Sequence, residues 1–209
     1  MTSGVIQAEI VIYPVPQGIY YARHNDDYTV KVRQVGEKDW VDLYEYNVKV
    51  DMDTKSDATM VQFDFSGKVE VLVQKNNGEL RSAVVRPLSK GIHPEIDGNF
   101  LLFTLDKPQK LSVEFNGARL NNLHVFANPI IENVPDKNDP NVMYFESGIH
   151  EPTDVAGKCF RIPSNTTVYL EGGAVLKGCL TCDSVENVKI LGHGMLLEPQ
   201  QGISVAYSK

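Results

Sequence analysis

The sequence predicts an all-β chain: an N-terminal antiparallel β-sandwich followed by the first coils of a right-handed parallel β-helix. Three observations carry this. Residues 1 to about 127 fall into short runs rich in β-branched and aromatic residues, with no helical periodicity between them. A polar stretch over 128–141, with Pro129, Pro135 and Pro140, separates these runs from the rest and reads as an extended linker. Beyond it, over 142–209, the chain repeats itself at a period of 20 to 25 residues.

In chain order the sandwich strands are expected over 5–13, 28–35, 40–50, 59–65, 68–74, 79–86, 99–105, 110–115 and 118–127. Turn chemistry joins them at Ser66-Gly67, Asn76-Asn77-Gly78, Asp97-Gly98 and Asn116-Gly117, where Gly and Asn tolerate positive φ. Strands at this spacing with no helix between them argue for an antiparallel sandwich. In the last part, 159–176 matches 179–196 at a gapless shift of 20, so that Cys159 falls on Cys179, Ile162 on Cys182, Gly172 on Gly192 and Val175 on Met195. The inward ladder is expected to be Phe160/Leu180, Ile162/Cys182, Val168/Val188 and Leu170/Ile190. A partial copy at a shift of 25 sets Met143–Gly148 opposite Val168–Gly173. Repeats of this length built from β-formers and glycine turns suit one β-helix coil each, with equivalent residues stacked at the ~4.8 Å strand spacing.

Composition narrows the function classes. With 42% hydrophobic and 22% charged residues, a disordered or fibrous chain is excluded. Net charge is −7, from 27 acidic and 20 basic residues, and no basic stripe exists, which argues against a nucleic-acid partner. No apolar run approaches the ~18 residues of a membrane span, and the opening residues lack the basic and apolar regions of an export signal. At roughly 150 residues per domain, 209 residues make about 1.4 domains. One sandwich and the opening two or three coils of a solenoid account for that fraction, and the chain is therefore expected to be an incomplete protein.

Several segments resemble a known family. Leu-His-Val-Phe-Ala-Asn-Pro-Ile (123–130), Asp-Pro-Asn-Val-Met-Tyr-Phe (139–145), Ser-Gly-Ile-His (147–150) and Thr-Val-Tyr-Leu-Glu-Gly-Gly-Ala-Val-Leu-Lys-Gly (167–178) are similar to the N-terminal region of β-helical polysaccharide hydrolases of the dextranase and isopullulanase family. The related polygalacturonase (pectinase) family shares the pattern of 167–178 and of Val188-Lys-Ile-Leu-Gly-His-Gly194. The resemblance covers the chain from about Tyr13 onward. It implies a secreted or periplasmic glycoside hydrolase acting on a dextran-, pullulan- or pectin-like polysaccharide. It also implies no cofactor, and catalytic aspartates in middle coils beyond these residues. Such chemistry needs a carboxylic acid and a carboxylate base about 6.5–9.5 Å apart in inverting enzymes. The alternative is a non-catalytic carbohydrate-binding or interaction module.

No catalytic residue is assigned. Gly192-His193-Gly194 looks like the pectinase Gly-His-Gly, yet the repeat sets His193 on the turn position of Gly173 and Gly148, and no paired aspartates precede it. Asp51-Met-Asp-Thr-Lys-Ser-Asp57 begins like a calcium loop, but Lys55 stands at a ligand place and the closing Glu is Gln62, so it reads as a charged turn. Cys179-Leu-Thr-Cys182 supplies only half of a zinc site. An exported chain would be able to join Cys159 and Cys179 as a disulfide, with Cys182 inside the coil. His24, His93, His124, His150 and His193 show no metal-ligand spacing. Trp40, Tyr44 and Tyr46, with Asp42, alternate along one predicted strand face and are the candidates for stacking on sugar rings, against core packing as the commoner use. Asn165-Thr-Thr167 is a glycosylation sequon if a eukaryote secretes the chain. The open end of an unfinished solenoid would present unpaired strand edges and promote self-association.

Overall fold

A computed structural model describes residues 9–51, 53, 55–153, 158–197 and 203–206. The chain is all-β and divides into two compact units. The first comprises Met1–Ile12 with Tyr21–Ile130, and the second Tyr13–Tyr20 with Ile131–Lys209. No helix is long and apolar enough to cross a membrane.

The first unit holds β1 (Ile10–Val11), β2 (Tyr28–Gln34), β3 (Val41–Asp42), β4 (Tyr46–Val50), β5 (Ser56–Phe65), β6 (Val69–Lys75), β7 (Ala83–Arg86), β8 (Glu95–Asp97), β9 (Phe100–Leu105), β10 (Gln109–Phe115) and β11 (Ala118–Pro129). A six-stranded sheet runs β1-β5-β11-β10-β7 with β4 also on β5, and a five-stranded sheet runs β3-β2-β6-β9-β8. Both sheets contribute to one core, in which Phe63, Phe65, Leu123, Val30, Val71 and Leu101 are buried. Period-two alternation explains how: Tyr28, Val30 and Val32 face inward while Thr29, Lys31 and Arg33 face out. Each such buried side chain contributes about 1.5–3 kcal/mol of transfer free energy. The Asn116-Gly117 hairpin forms as its sequence predicts, with both residues at positive φ, 52° and 78°.

Two expectations change here. The sheet is not wholly antiparallel, because β11 lies parallel to β5, from Leu123 opposite Thr59 to Pro129 opposite Phe65. Hairpin turns specify only neighbouring antiparallel pairs, and this pair joins strands too far apart in the chain for any local signal. The run 40–50 is also not one strand: β3 pairs with β2 in one sheet and β4 with β5 in the other. Strand β8 had no counterpart among the predicted runs.

The second unit holds β12 (Val142–Phe145), β13 (Gly148–His150), β14 (Cys159–Arg161), β15 (Thr167–Leu170), β16 (Ala174–Leu176), β17 (Cys179–Asp183), β18 (Lys189–Gly192), β19 (Met195–Leu196) and β20 (Ile203–Ala206), and the short helix α1 (Gln17–Tyr20). The nine strands form three parallel three-stranded sheets, β12-β15-β18, β13-β16-β19 and β14-β17-β20. Every third strand therefore returns to the same sheet. Phe145, Ile162, Val168, Leu176, Leu180 and Cys182 are buried in one cluster between the sheets.

Cys159 stands opposite Cys179 and is disulfide-bonded to it, while Cys182 is a buried free thiol. The 25-residue offset holds over β12 and β15, where Met143 meets Val168. It slips by one at β13, where Gly148 meets Ala174. The gapless 20-residue offset is corrected in its middle. Val168 pairs with Ile190 and Leu170 with Gly192, an offset of 22, and not with Val188 and Ile190. Arg161 to Thr167 is six positions, whereas the corresponding Thr181 to Lys189 is eight, so the turn around Ser184 and Asn187 carries two more residues. Leu170 to Val175 is five positions and Gly192 to Met195 three, which restores the offset of 20. Ile190 takes the place opposite the buried Val168, and like the rest of β18 it is exposed.

The segment Tyr13–Tyr20, predicted as part of the sandwich, packs in the second unit. Ile19 is buried there, and a side chain at Gly172 would strike the Tyr13 ring. Gly148, Gly173 and Gly192 take positive φ at the corners of successive passes (138°, 89° and 111°), so the turn position falls on Gly192 and not on His193.

Candidate functional site

The three aromatic candidates do not form a row. Trp40 precedes β3 in the five-stranded sheet, and its ring carries the Arg33 guanidinium 4.2 Å from its centroid. Arg33 in turn donates from Nε to Glu70 at 2.6 Å. Asp42 pairs with Lys31 at 2.9 Å. Tyr46 opens β4 in the other sheet and is only 4% exposed, with burial pushing its phenol up to about 12. Tyr44 sits between His24 and Tyr46, with centroids at 5.3 and 4.6 Å. The physical reason is Leu43: its N–H bonds to Val30 and its side chain is buried, which turns the chain from one sheet toward the other. Trp40 is thus set beside one sheet and the contacting pair Tyr44 and Tyr46 beside the other, with Tyr46 in the interior.

At that crossing lies a residue the motif reading passed over. Beyond the two pairs that β3 makes with β2, the side chain of Glu45 takes over the ladder, its Oε1 accepting the Val30 N–H at 2.7 Å. Its other oxygen lies 3.5 Å from His24 Nε2, and His24 Nδ1 lies 2.9 Å from Asp26. Burial, the largest influence, pushes the Glu45 carboxyl above its ordinary value, against the lowering pull of Val30 and His24. Folding therefore favours the protonated carboxyl. That contribution is fully present below the ordinary carboxyl range and is lost as pH rises through the raised value. Glu45→Gln is expected to flatten this dependence while keeping the oxygen that accepts from Val30. Glu45→Ala is expected to cost about 2 kcal/mol, because a buried N–H loses its acceptor. Urea unfolding near pH 4 and near pH 7, followed by Trp40 fluorescence, checks both. An acid at an inward position of an alternating run, Leu43-Tyr44-Glu45, was the available signal.

The five-stranded sheet also carries an open groove of about 550 Å³, with Lys68, Lys90, His93, Glu95 and Asp106 on its walls and Leu102 on its floor. These five charged or titratable side chains have no hydrogen-bond or ion-pair partner among the described residues. The groove suits a polar ligand and was not legible in the sequence, because β8 was not.

Several other candidates are engaged by neighbouring groups. His193 Nδ1 lies 2.9 Å from the Tyr13 hydroxyl, and its backbone N–H bonds to Leu170. In the 51–57 turn, the Asp53 N–H caps the Asp51 carboxylate and Asp57 pairs with Lys49, while residues 52 and 54 lie outside the described residues. His150 contacts the Glu146 carbonyl at 2.7 Å. His124 is half-buried, and burial lowers its pKa. Asn165 sits at positive φ, with its side-chain oxygen accepting from Asn187 at 2.9 Å. Among the described residues no group of three His, Cys, Asp or Glu is placed to hold a metal ion.

No protein-family model and no curated protein matches the sequence. Solved structures do match its fold, seven chains in all. One is Dex49A from Penicillium minioluteum, with a TM-score of 0.61 and 18% identity over 83% of this chain and 46% of Dex49A. The chain therefore spans less than half the length of that structure, and at this identity what the two share is an all-β fold.

Proposed function

We propose that the chain is the N-terminal portion of a secreted or periplasmic glycoside hydrolase that cleaves O-glycosidic bonds of a polysaccharide. In this reading a β-sandwich precedes the opening coils of a right-handed parallel β-helix. The fold likeness to Dex49A carries it. Supporting it, the segments that resemble the dextranase and isopullulanase family fall on β11, β12, β13, β15 and β16, and the strands of the second unit recur in the same three sheets. The last pass, with Leu191, Ile203 and Val205 exposed, offers the edge on which further coils, or a second copy, would add.

The chemistry assigned to these residues is scaffolding and polysaccharide contact. Among the described residues Glu45 is the one carboxyl held above its ordinary range, and it is committed to Val30 and His24, not open to a glycosidic oxygen. The acid and base are assigned to aspartates of later coils, without a cofactor. The test is to incubate the chain, alone and extended by the rest of its reading frame, with dextran, pullulan and polygalacturonate. The chain alone should be retarded in a gel containing at least one of them and release no reducing sugar, while the extended protein cleaves the same polymer. Reducing sugar released by the chain alone would place a catalytic pair inside it. An extended protein that cleaves none of the three would overturn the reading.

A further inference from the structure

We infer that a pocket at the loop end of the first unit is a binding site for a single neutral sugar ring. It lies where β2 begins, β6 ends and β10 turns into β11, and its volume is about 340 Å³. That is at the small end of the range for ligand sites. The floor is the stacked pair Tyr28 and Phe115, with centroids 4.4 Å apart and planes 25° apart, both nearly closed off from solvent. The rim carries Asp27, Lys75, Asn77 and Asn121.

The polar groups of this rim complement hydroxyls. Asp27 Oδ1 accepts from Asn77 Nδ2 at 3.2 Å, and among the described residues its second carboxylate oxygen has no partner. The Asn121 backbone carbonyl accepts the Tyr28 hydroxyl at 3.4 Å, and among the described residues its side-chain amide makes no hydrogen bond. Lys75 Nζ donates to the Asn77 carbonyl and keeps further N–H groups. A carboxylate oxygen that accepts, an amide that does both and an ammonium that donates match vicinal hydroxyls, each of which donates and accepts. One anion and one cation on the rim cancel, so a neutral ligand is favoured over an acidic one.

The rim is also held in place before any ligand arrives. Asn116 behind it accepts the N–H groups of Arg81 and Ser82 at 2.8 and 3.1 Å and donates to the Glu79 carbonyl at 2.7 Å. Asn76 donates to the Asp26 carbonyl at 2.9 Å and bonds Thr29. A rim fixed by saturated amides loses little conformational entropy on binding.

The choice of a sugar rests on the function proposed above; the pocket's geometry does not. The test is titration of the chain with glucose, isomaltotriose and glucuronate, followed by amide chemical shifts. Saturable shifts at Asn77 and Asn121 are expected for the two neutral sugars, with a Kd on the order of 1 mM. Asn121→Ala, an exposed change, should weaken binding about tenfold, and Lys90→Ala in the outer groove should leave it unchanged. Shifts confined to the outer groove, preference for glucuronate, or no saturable shift at Asn77 and Asn121 would each overturn the site. The polysaccharide reading stands or falls separately, on cleavage by the extended protein.

Discussion

Replacing Cys159 and Cys179 together by serine is expected to lower the stability of the second unit by about 3 kcal/mol. The bond joins two residues that face each other across β14 and β17, 20 positions apart in the chain. It closes one full pass onto the next. In the chain-entropy account, opening a loop of that length restores freedom chiefly to the unfolded state, and the native ladder of Phe160 on Leu180 and Arg161 on Thr181 remains. The loss should therefore appear as a lower unfolding midpoint and not as an altered fold. Trp40 is the only tryptophan and lies in the first unit, so its fluorescence should keep its midpoint. Amide exchange at Leu180 and Thr181 should accelerate, by roughly a hundredfold for 3 kcal/mol where exchange follows global opening of the unit. A shifted Trp40 transition with unchanged exchange in β17 would refute the assignment.

Gly192→Ala is expected to cost on the order of 3 kcal/mol in the same unit, from two sources. The backbone there has φ +111°, which L side chains rarely adopt, and an added Cβ would run into the Leu170 carbonyl. That carbonyl already accepts the N–H groups of His193 and Gly194 at 2.9 and 3.2 Å, so a displaced Leu170 would loosen both bonds. Gly36→Ala separates the two sources. Gly36 has φ +93° with open space around it, and only the conformational part, about 1 kcal/mol, should be lost. Thermal unfolding of both variants by far-UV circular dichroism gives the comparison. Equal losses at the two positions would show that the approach to Leu170 carries no cost.

What could be read in advance follows the range of each signal. Hairpin turns act over four residues, and Asn116-Gly117 fixed its strands correctly. Alternation acts over one strand, and β2 and β6 bury alternate residues along most of their length. The Cys159 and Cys179 match survived because it lies in a stretch without insertions. The pairing of Val168 was misplaced because a two-residue insertion and a two-residue deletion cancel across β18, which a gapless comparison cannot detect. The parallel contact of β5 with β11 and the groove beside β8 depend on chain segments far apart in sequence. The single aromatic face did not form for a similar reason: alternation places Trp40, Tyr44 and Tyr46 on one face only if the strand is continuous, and the run divides between two sheets at the buried Leu43 and Glu45.

The residence of Tyr13–Tyr20 in the second unit has a consequence for synthesis. Tyr13 leaves the ribosome 180 residues before His193, the residue its hydroxyl meets. At roughly 5–20 residues per second that delay is about 9–36 s. Ile19, buried in the finished protein, waits for the strands of the second unit, the first of which begins at Val142. The first unit is accordingly interrupted in sequence by a segment that it does not keep, and the second unit is completed by a piece of chain made before any of its own strands.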